Sequence, residues 1–371
     1  MGANRAVART LYRELLRSTR RIDAVMTEAH APMLEDAIQR HGLEAVAAGA
    51  VSSTDMVRSA FRAQQGADGT DSADLGFAAV RCAGETLAWL PCATKLHALA
   101  HAGAPVEEGA FAIADAIEVR ARHDRGAPVE VARSVRQQLD RLAEAARRTA
   151  PDAPPTELPD GAADDAAASK ADARDGGSGR LGTLARINSV LYGEGGALER
   201  AGASGGGDAA RPTIEDASSV SRVLARRGSG LPIALCSIYQ AVAARLGLEL
   251  RMTNFPQRVL LRLEAAADAR ADAAADAADD GALWFVDPAD RGKILQPSEC
   301  EAVLRRARLP RQKRAEAMAA ARPPRVWSRM LRNLEMHASH EGRHDMAVVW
   351  RNMGYGLDEI ASGDERPRAT C

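Results

Sequence analysis

The sequence predicts an α+β fold: a helical N-terminal domain, then a core in which a helix leads into an antiparallel sheet, then a C-terminal helix pair. Three observations carry this reading. Apolar residues recur at three- and four-residue steps through most of the chain up to Arg148, the pattern of helices with one buried face. Beyond Gly230 a helical pattern with Ile238, Val242 and Leu246 on one face gives way to short β-prone segments at about 249–254, 258–263 and 283–287. Residues 325–355 then repeat the helical pattern twice, around a turn at Gly342. A helix followed by antiparallel strands makes an α+β core and not a doubly wound sheet.

Taken in order, residues 1–103 form the helical first domain. Its opening segment carries Arg5, Arg9, Arg13, Arg17, Arg20 and Arg21 against two acids, Glu14 and Asp23. Two readings stay open: a solvated basic helix face, or an organellar address, since such segments are Arg-rich and acid-poor. Residues 104–149 are a helical lead-in to the core, with Val131, Val135, Leu139, Leu142 and Ala146 as its buried stripe. Residues 150–180 are Pro, Ala, Asp and Gly with almost nothing to bury, so they read as a disordered linker. The core spans 181–322 and contains two similar disordered insertions, 193–212 and 264–282, the second an enlarged turn between two strands. Within it Gly228, Gly230 and Pro232 punctuate the start of the central helix, and Gly247 is its C-cap. Residues 323–360 form the helix pair, with Val326, Met330 and Leu334 on one helix and Met346, Val349 and Met353 on the other. One helix pair buries too little alone, so it is expected to dock on the core. Residues 361–371 read as a flexible tail.

Composition excludes several functions. With 49 Lys+Arg against 50 Asp+Glu the formal net charge is -1, which supplies no global field toward nucleic acid or an anionic membrane. No apolar run approaches the roughly 18 residues of a spanning helix, and no apolar signal core follows the start, so no membrane insertion is expected. Five cysteines, at 82, 92, 236, 300 and 371, are odd in number and scattered, which points to a reducing compartment and not a disulfide framework. His340 and His344 stand four apart, but Gly342 between them breaks the helix that would align them, so no metal is expected. The glycines of 193–207 lack the Lys-Ser or Lys-Thr of a phosphate loop, so no nucleotide cofactor is expected. The basic run RRARLPRQKR at 305–314 lacks interleaved aromatics and reads as a solvated helix face.

Several motifs, in order, are LARINSVLY, VLARRGSGLPIALCSIYQAVAARLGL, NFPQRVLLRL, VDPADRGKIL and RMLRNLEMHASHEGRHDMAVVWRNM. Together they make the stretch from about Glu107 to Tyr355 resemble the SirB-type transglutaminase-like family, whose tail is tetratricopeptide-like. That family occurs in bacteria and in a region of a vertebrate F-box protein. Two departures stand out: the family's Asp-Pro-Arg-Asn-Ser run reads Asp216-Ala-Ser-Ser219 here, and its His after the Phe-Pro-Gly turn is Arg258, preceded by Gln257. LYRELLRSTRRID at 11–23, with VRSAFR ending at Arg62, resembles the complex-one LYR family of small mitochondrial proteins. That resemblance implies a bundle that binds acylated acyl carrier protein and a partner in iron-sulfur or respiratory-complex assembly, with Leu11, Tyr12, Arg13 and Phe61 at the contact. It implies a mitochondrial location; cytoplasm and plastid remain open.

A transglutaminase-type enzyme needs a thiolate at a helix N-terminus, an imidazole to activate it, and an Asp or Asn to orient that imidazole. The resemblance places the nucleophile near Pro232, which cannot serve, and Cys236 lies about one turn further into an apolar run. No histidine falls between His123 and His337, and a guanidinium at Arg258 stays protonated, so it cannot be a general base. Asp287 keeps the third position. The expected reading is a pseudoenzyme, a protein-protein adaptor with no catalytic residue and with Arg258 and Asp287 lining a second contact surface. The alternative is a cysteine hydrolase or acyltransferase using Cys236 and Asp287 with a histidine, such as His123 or His337, brought from elsewhere.

Overall fold

A computed structural model describes residues 2–26, 30–41, 43, 52, 54–55, 58, 71–121, 131–149, 177–198, 213–226, 230–256, 258–263 and 283–363. The helices before the sheet are α1 (Gly2–Val25), α2 (Ala31–Arg40), α3 (Asp71–His101), α4 (Val106–Ala121), α5 (Val131–Arg148), α6 (Gly177–Tyr192), α7 (Ile214–Ser218), α8 (Val220–Arg226) and α9 (Pro232–Arg245). Strands β1 (Leu250–Met252), β2 (Leu261–Leu263), β3 (Trp284–Asp287) and β4 (Lys293–Leu295) follow, with a 3-10 turn at Pro288–Asp290 between the last two. The chain ends in α10 (Pro297–Arg306), α11 (Arg311–Met318), α12 (Pro323–His340), α13 (His344–Met353) and α14 (Leu357–Ser362). These elements fall into two compact units, one of residues 1–104 with 327–371, the other of residues 105–326.

In the first unit α3 is the central element, and α1, α2, α13 and α14 all pack on it. Its buried stripe includes Cys82, Trp89, Leu90, Ala93 and Leu96, which is more apolar surface than one neighbouring helix can cover. The C-terminal helix pair therefore joins the N-terminal helices, where the sequence pointed to docking on the core. Local pattern shows that a helix face is apolar but not which surface will meet it. Helix α1 turns Leu15 and Ile22 inward, while Arg13, Arg17, Arg20 and Arg21 stay exposed. The turn between α12 and α13 has Gly342 in the left-handed region at φ 72°, with Trp327, Leu334, Trp350 and Met353 buried on the two helices.

In the second unit α9 is the central helix, packed against α4, α5, α6, α8 and β1. Residues 233–239 are all buried, and each large aliphatic side chain so placed stabilises by about 1.5–3 kcal/mol relative to exposure. Gly247 ends the helix as the sequence indicates. At φ 77° it donates its N–H to Ala244 O (3.1 Å), and Leu248 N–H reaches Ala243 O (2.9 Å), the two bonds of a Schellman cap. At the other end Gly230 is required by contact: a Cβ there would lie 2.9 Å from Val223 Cγ2 and 3.3 Å from Leu235 Cδ2. Arg245 ties the helix to its neighbours, bonding Glu107 of α4 at 2.8 Å and Asp140 of α5 at 2.7 Å. The stripe on α5 runs through Val131, Val135, Leu139, Ala143 and Ala146, with Leu142 only half-buried.

The four strands form one antiparallel sheet in the order β1-β2-β3-β4. Leu263 pairs with Trp284, so β2 and β3 are neighbours on either side of 264–282. That insertion lies outside the described residues, as do most of 150–180 and 193–212. Two boundaries differ from the sequence reading. Helix α6 begins at Gly177, inside the stretch read as linker, and residues 193–198 fold back on it, with Leu198 buried and its N–H bonded to Leu191 O at 2.7 Å. An apolar side chain at the end of a glycine run is enough to fasten that run to a helix C-terminus. Strand β4 has no counterpart among the expected strands, because three residues with one buried position leave too short a pattern.

Candidate functional site

Pro232 occupies the first turn of α9, where its missing N–H costs nothing and its ring offers no nucleophile. Cys236 lies one turn further on and is fully buried, its Sγ–H donating to Val259 O at 3.2 Å. A thiol held this way packs as a small hydrophobe with a weak hydrogen bond.

Beside Val259, Arg258 Nη1 donates to Asp287 Oδ2 at 3.1 Å, while Asp287 Oδ1 accepts from Ala289 N at 3.0 Å. Asp287 is buried at 2% exposure and Arg258 is 62% exposed, so the pair joins an interior carboxylate to a solvated cation. Burial raises the Asp287 carboxyl above its usual range, and the guanidinium opposes that shift without cancelling it. Among the described residues of this unit there is no histidine, and His123 lies outside them. Arg258 and Asp287 are thus brought together, and Cys236 bonds to the backbone carbonyl of Val259, the residue that follows Arg258.

A partly buried chain of hydrogen bonds holds the turn that carries Asp287. Tyr239 of α9 donates its hydroxyl to Asn188 Oδ1 of α6 at 2.8 Å, and Asn188 Nδ2 donates to Gly292 O at 2.9 Å. Tyr192 donates to Pro288 O at 2.8 Å, and Arg291 donates to Tyr192 O. Gly292 sits at φ 74°, and its own N–H returns to Asp287 O at 2.9 Å. Burial raises the phenol pKa of both tyrosines, so they are neutral donors at any ordinary pH. Their effect is positional: α6 and α9 fix the β3–β4 turn.

In front of this turn lies a groove of about 340 Å³ bordered by Arg258, Asp287, Lys293, Leu295, Cys300 and Arg306. Sequence reasoning named the first two and missed the rest, because β4 and α10 carry no chemical motif. The Cys300 thiol is pushed up to about 12, first by burial and then by Glu299, which leaves it protonated. Among the described residues no group of three or more His, Cys, Asp or Glu is placed to hold a metal ion. His340 ends α12 and His344 starts α13, on opposite sides of the Gly342 turn.

Of the N-terminal candidates, Tyr12 is half-buried and Arg13 exposed on α1. Leu11 belongs to the same helix, and Phe61 lies outside the described residues. No helix among the described residues is long and apolar enough to cross a membrane.

No curated protein and no solved structure matches the chain. A family model does: residues 133–332, more than half of the chain, match that of the transglutaminase-like superfamily. The match covers α5 through the sheet and its Arg258–Asp287 pair to the first turns of α12, and the chain belongs to the transglutaminase-like superfamily.

Proposed function

We propose that the protein is a non-catalytic interaction protein, an adaptor built on a degenerate, SirB-type transglutaminase-like core. The observation that carries this reading is the Arg258–Asp287 pair. Where the enzymes of this fold need an imidazole to take a proton, a guanidinium engages the carboxylate, and it cannot serve as a base. The buried Cys236, bonded to a backbone carbonyl, agrees with that loss. A thiol meant for attack needs to be exposed to substrate and paired with a base. The groove beside Arg258 and Asp287 then serves for contact. The N-terminal helix supplies a second contact surface at Leu11, Tyr12 and Arg13, with Phe61, in the manner of LYR proteins; an acyl carrier protein or an iron-sulfur or respiratory assembly factor in mitochondria is the partner class that goes with it.

Affinity purification from the protein's own cells tests both parts. The tagged parent is compared with Cys236→Ala and with the double variant Tyr12→Ala, Arg13→Ala. An adaptor keeps its partners in Cys236→Ala, and an LYR-type contact loses carrier protein in the double variant. Loss of the cellular function in Cys236→Ala with partners retained would instead favour the cysteine-enzyme alternative.

A further inference from the structure

The groove beside the Arg258–Asp287 pair holds charge that the fold does not use. Its three acids and three cations cancel formally, but they are not equally engaged. Asp287 accepts from Arg258 and Ala289, and Glu299 Oε2 accepts from Gln296 N at 2.7 Å to close the capping box of α10. Lys293 and Arg306 make no ion pair with any described residue, which leaves two uncommitted cations facing one uncommitted acid, Asp290.

The sheet beside them is open at the same place. The β1 edge is covered by the Thr253–Ala320 bridge and by Ala321 N–H bonded to Met252 O at 2.7 Å. The other edge is β4, and among the described residues no backbone pairs with its outer side. Lys293 and Leu295 alternate with the buried Ile294, so both face the groove two residues apart. Across from them on α10, Val303 is 48% exposed, an unusual position for a large aliphatic side chain among the described residues.

We propose that this groove binds an extended peptide added to the edge of β4, with a carboxylate side chain two positions from an aliphatic one. Lys293 and Arg306 take the carboxylate, and Leu295 and Val303 take the aliphatic group. An extended ligand repeats its side-chain direction every second residue, so its spacing matches that of Lys293 and Leu295. The volume, about 340 Å³, suits one or two side chains and lies at the small end of ligand sites, which run from roughly 300 to 1,000 Å³. This inference deepens the adaptor reading and rests on it, since it treats the groove as a contact surface.

Selection of a random heptapeptide phage library on the immobilised full chain tests it, with the double variant Lys293→Glu, Arg306→Glu in parallel. Both side chains are exposed, so the variant should fold, which circular dichroism checks. The parent should enrich peptides with Asp or Glu two positions from Leu, Ile or Val, and the variant should not. Synthetic copies should bind the parent at least about tenfold more tightly than the variant and should weaken as salt is raised. Failure to enrich, enrichment of neutral or basic sequences, or equal enrichment on both proteins would overturn the proposal while leaving the adaptor reading in place. Cleavage or acylation of a selected peptide by the parent, seen as a mass change, would instead overturn the adaptor reading.

Discussion

Replacing Gly292 by alanine should destabilise the core unit by about 3–4 kcal/mol, and the structure says where that loss arises. Gly292 sits at φ 74°, where a side chain costs about 1 kcal/mol or more. Its new Cβ would stand 1.9 Å from Asn188 Oδ1 and 2.6 Å from Asn188 Cγ, so Asn188 has to leave. With it go two partly buried hydrogen bonds, Tyr239 to Asn188 and Asn188 to Gly292, each worth about 1 kcal/mol net. The remainder is the desolvated Tyr239 hydroxyl, fully buried and stripped of its better acceptor. Asn188→Ala makes room for the methyl group, so Gly292→Ala in that background should cost only the backbone strain, about 1 kcal/mol. The coupling of roughly 2–3 kcal/mol is read by native-state hydrogen exchange on peptides from 232–245, which follows the core unit by itself. A cost below about 1 kcal/mol for Gly292→Ala alone, or the same cost in both backgrounds, would refute the claim that Asn188 fastens the turn to α6 and α9.

Two further outcomes follow from the buried ionisable groups. His30 is fully buried, and burial, with His97 at 4.5 Å between ring centroids, lowers its pKa from 6.5 to about 4. Its neutral form is therefore favoured in the folded chain. Its contribution is intact above the unfolded value and is lost as pH falls through the window between about 6.5 and 4, by up to about 3 kcal/mol. Hydrogen exchange on peptides from 78–100 should show that loss in the parent and a reduced one in His30→Phe; equal pH slopes would contradict it. Asp287→Asn should change stability at neutral pH by less than about 1 kcal/mol, since the amide keeps the bond from Ala289 and the lost partner is solvent-exposed. Because the carboxyl is raised in the folded state, the folded chain binds the proton more readily than the unfolded one. The parent should then gain stability relative to Asp287→Asn as pH falls from neutral to about 4. Urea titrations of both proteins across that range measure the gap, and a gap that is constant or moves the other way would contradict the assignment.

Legibility followed the range of the interaction. Helix α9 and its Schellman cap were readable because the apolar run and Gly247 are neighbours in sequence. Strands β2 and β3 were readable across the insertion at 264–282 because each alone is apolar and β-prone. Arg258 and Asp287 were readable as neighbours on one surface, and the structure joins them at 3.1 Å. What escaped was set by contacts between distant segments. The helix pair meets α3 through contacts such as His97 Nε2 on Tyr355 O at 2.6 Å, and no local pattern encodes that choice. The groove was hidden for the same reason. Lys293 and Arg306 are ordinary surface cations in sequence, and only the β3–β4 turn and α10 bring them to one opening.

The proposal that the core has no working nucleophile is tested most directly by alkylating the folded full chain with iodoacetamide near neutral pH and mapping the modified cysteines by mass spectrometry. Cys92, which is half-buried, serves as the accessible reference, while Cys236 and Cys300 should stay unlabelled until urea unfolds the chain. Labelling of Cys236 in the folded chain at or above the rate of a free thiol would mean an exposed, activated sulfur, and the core would have to be counted among the cysteine enzymes.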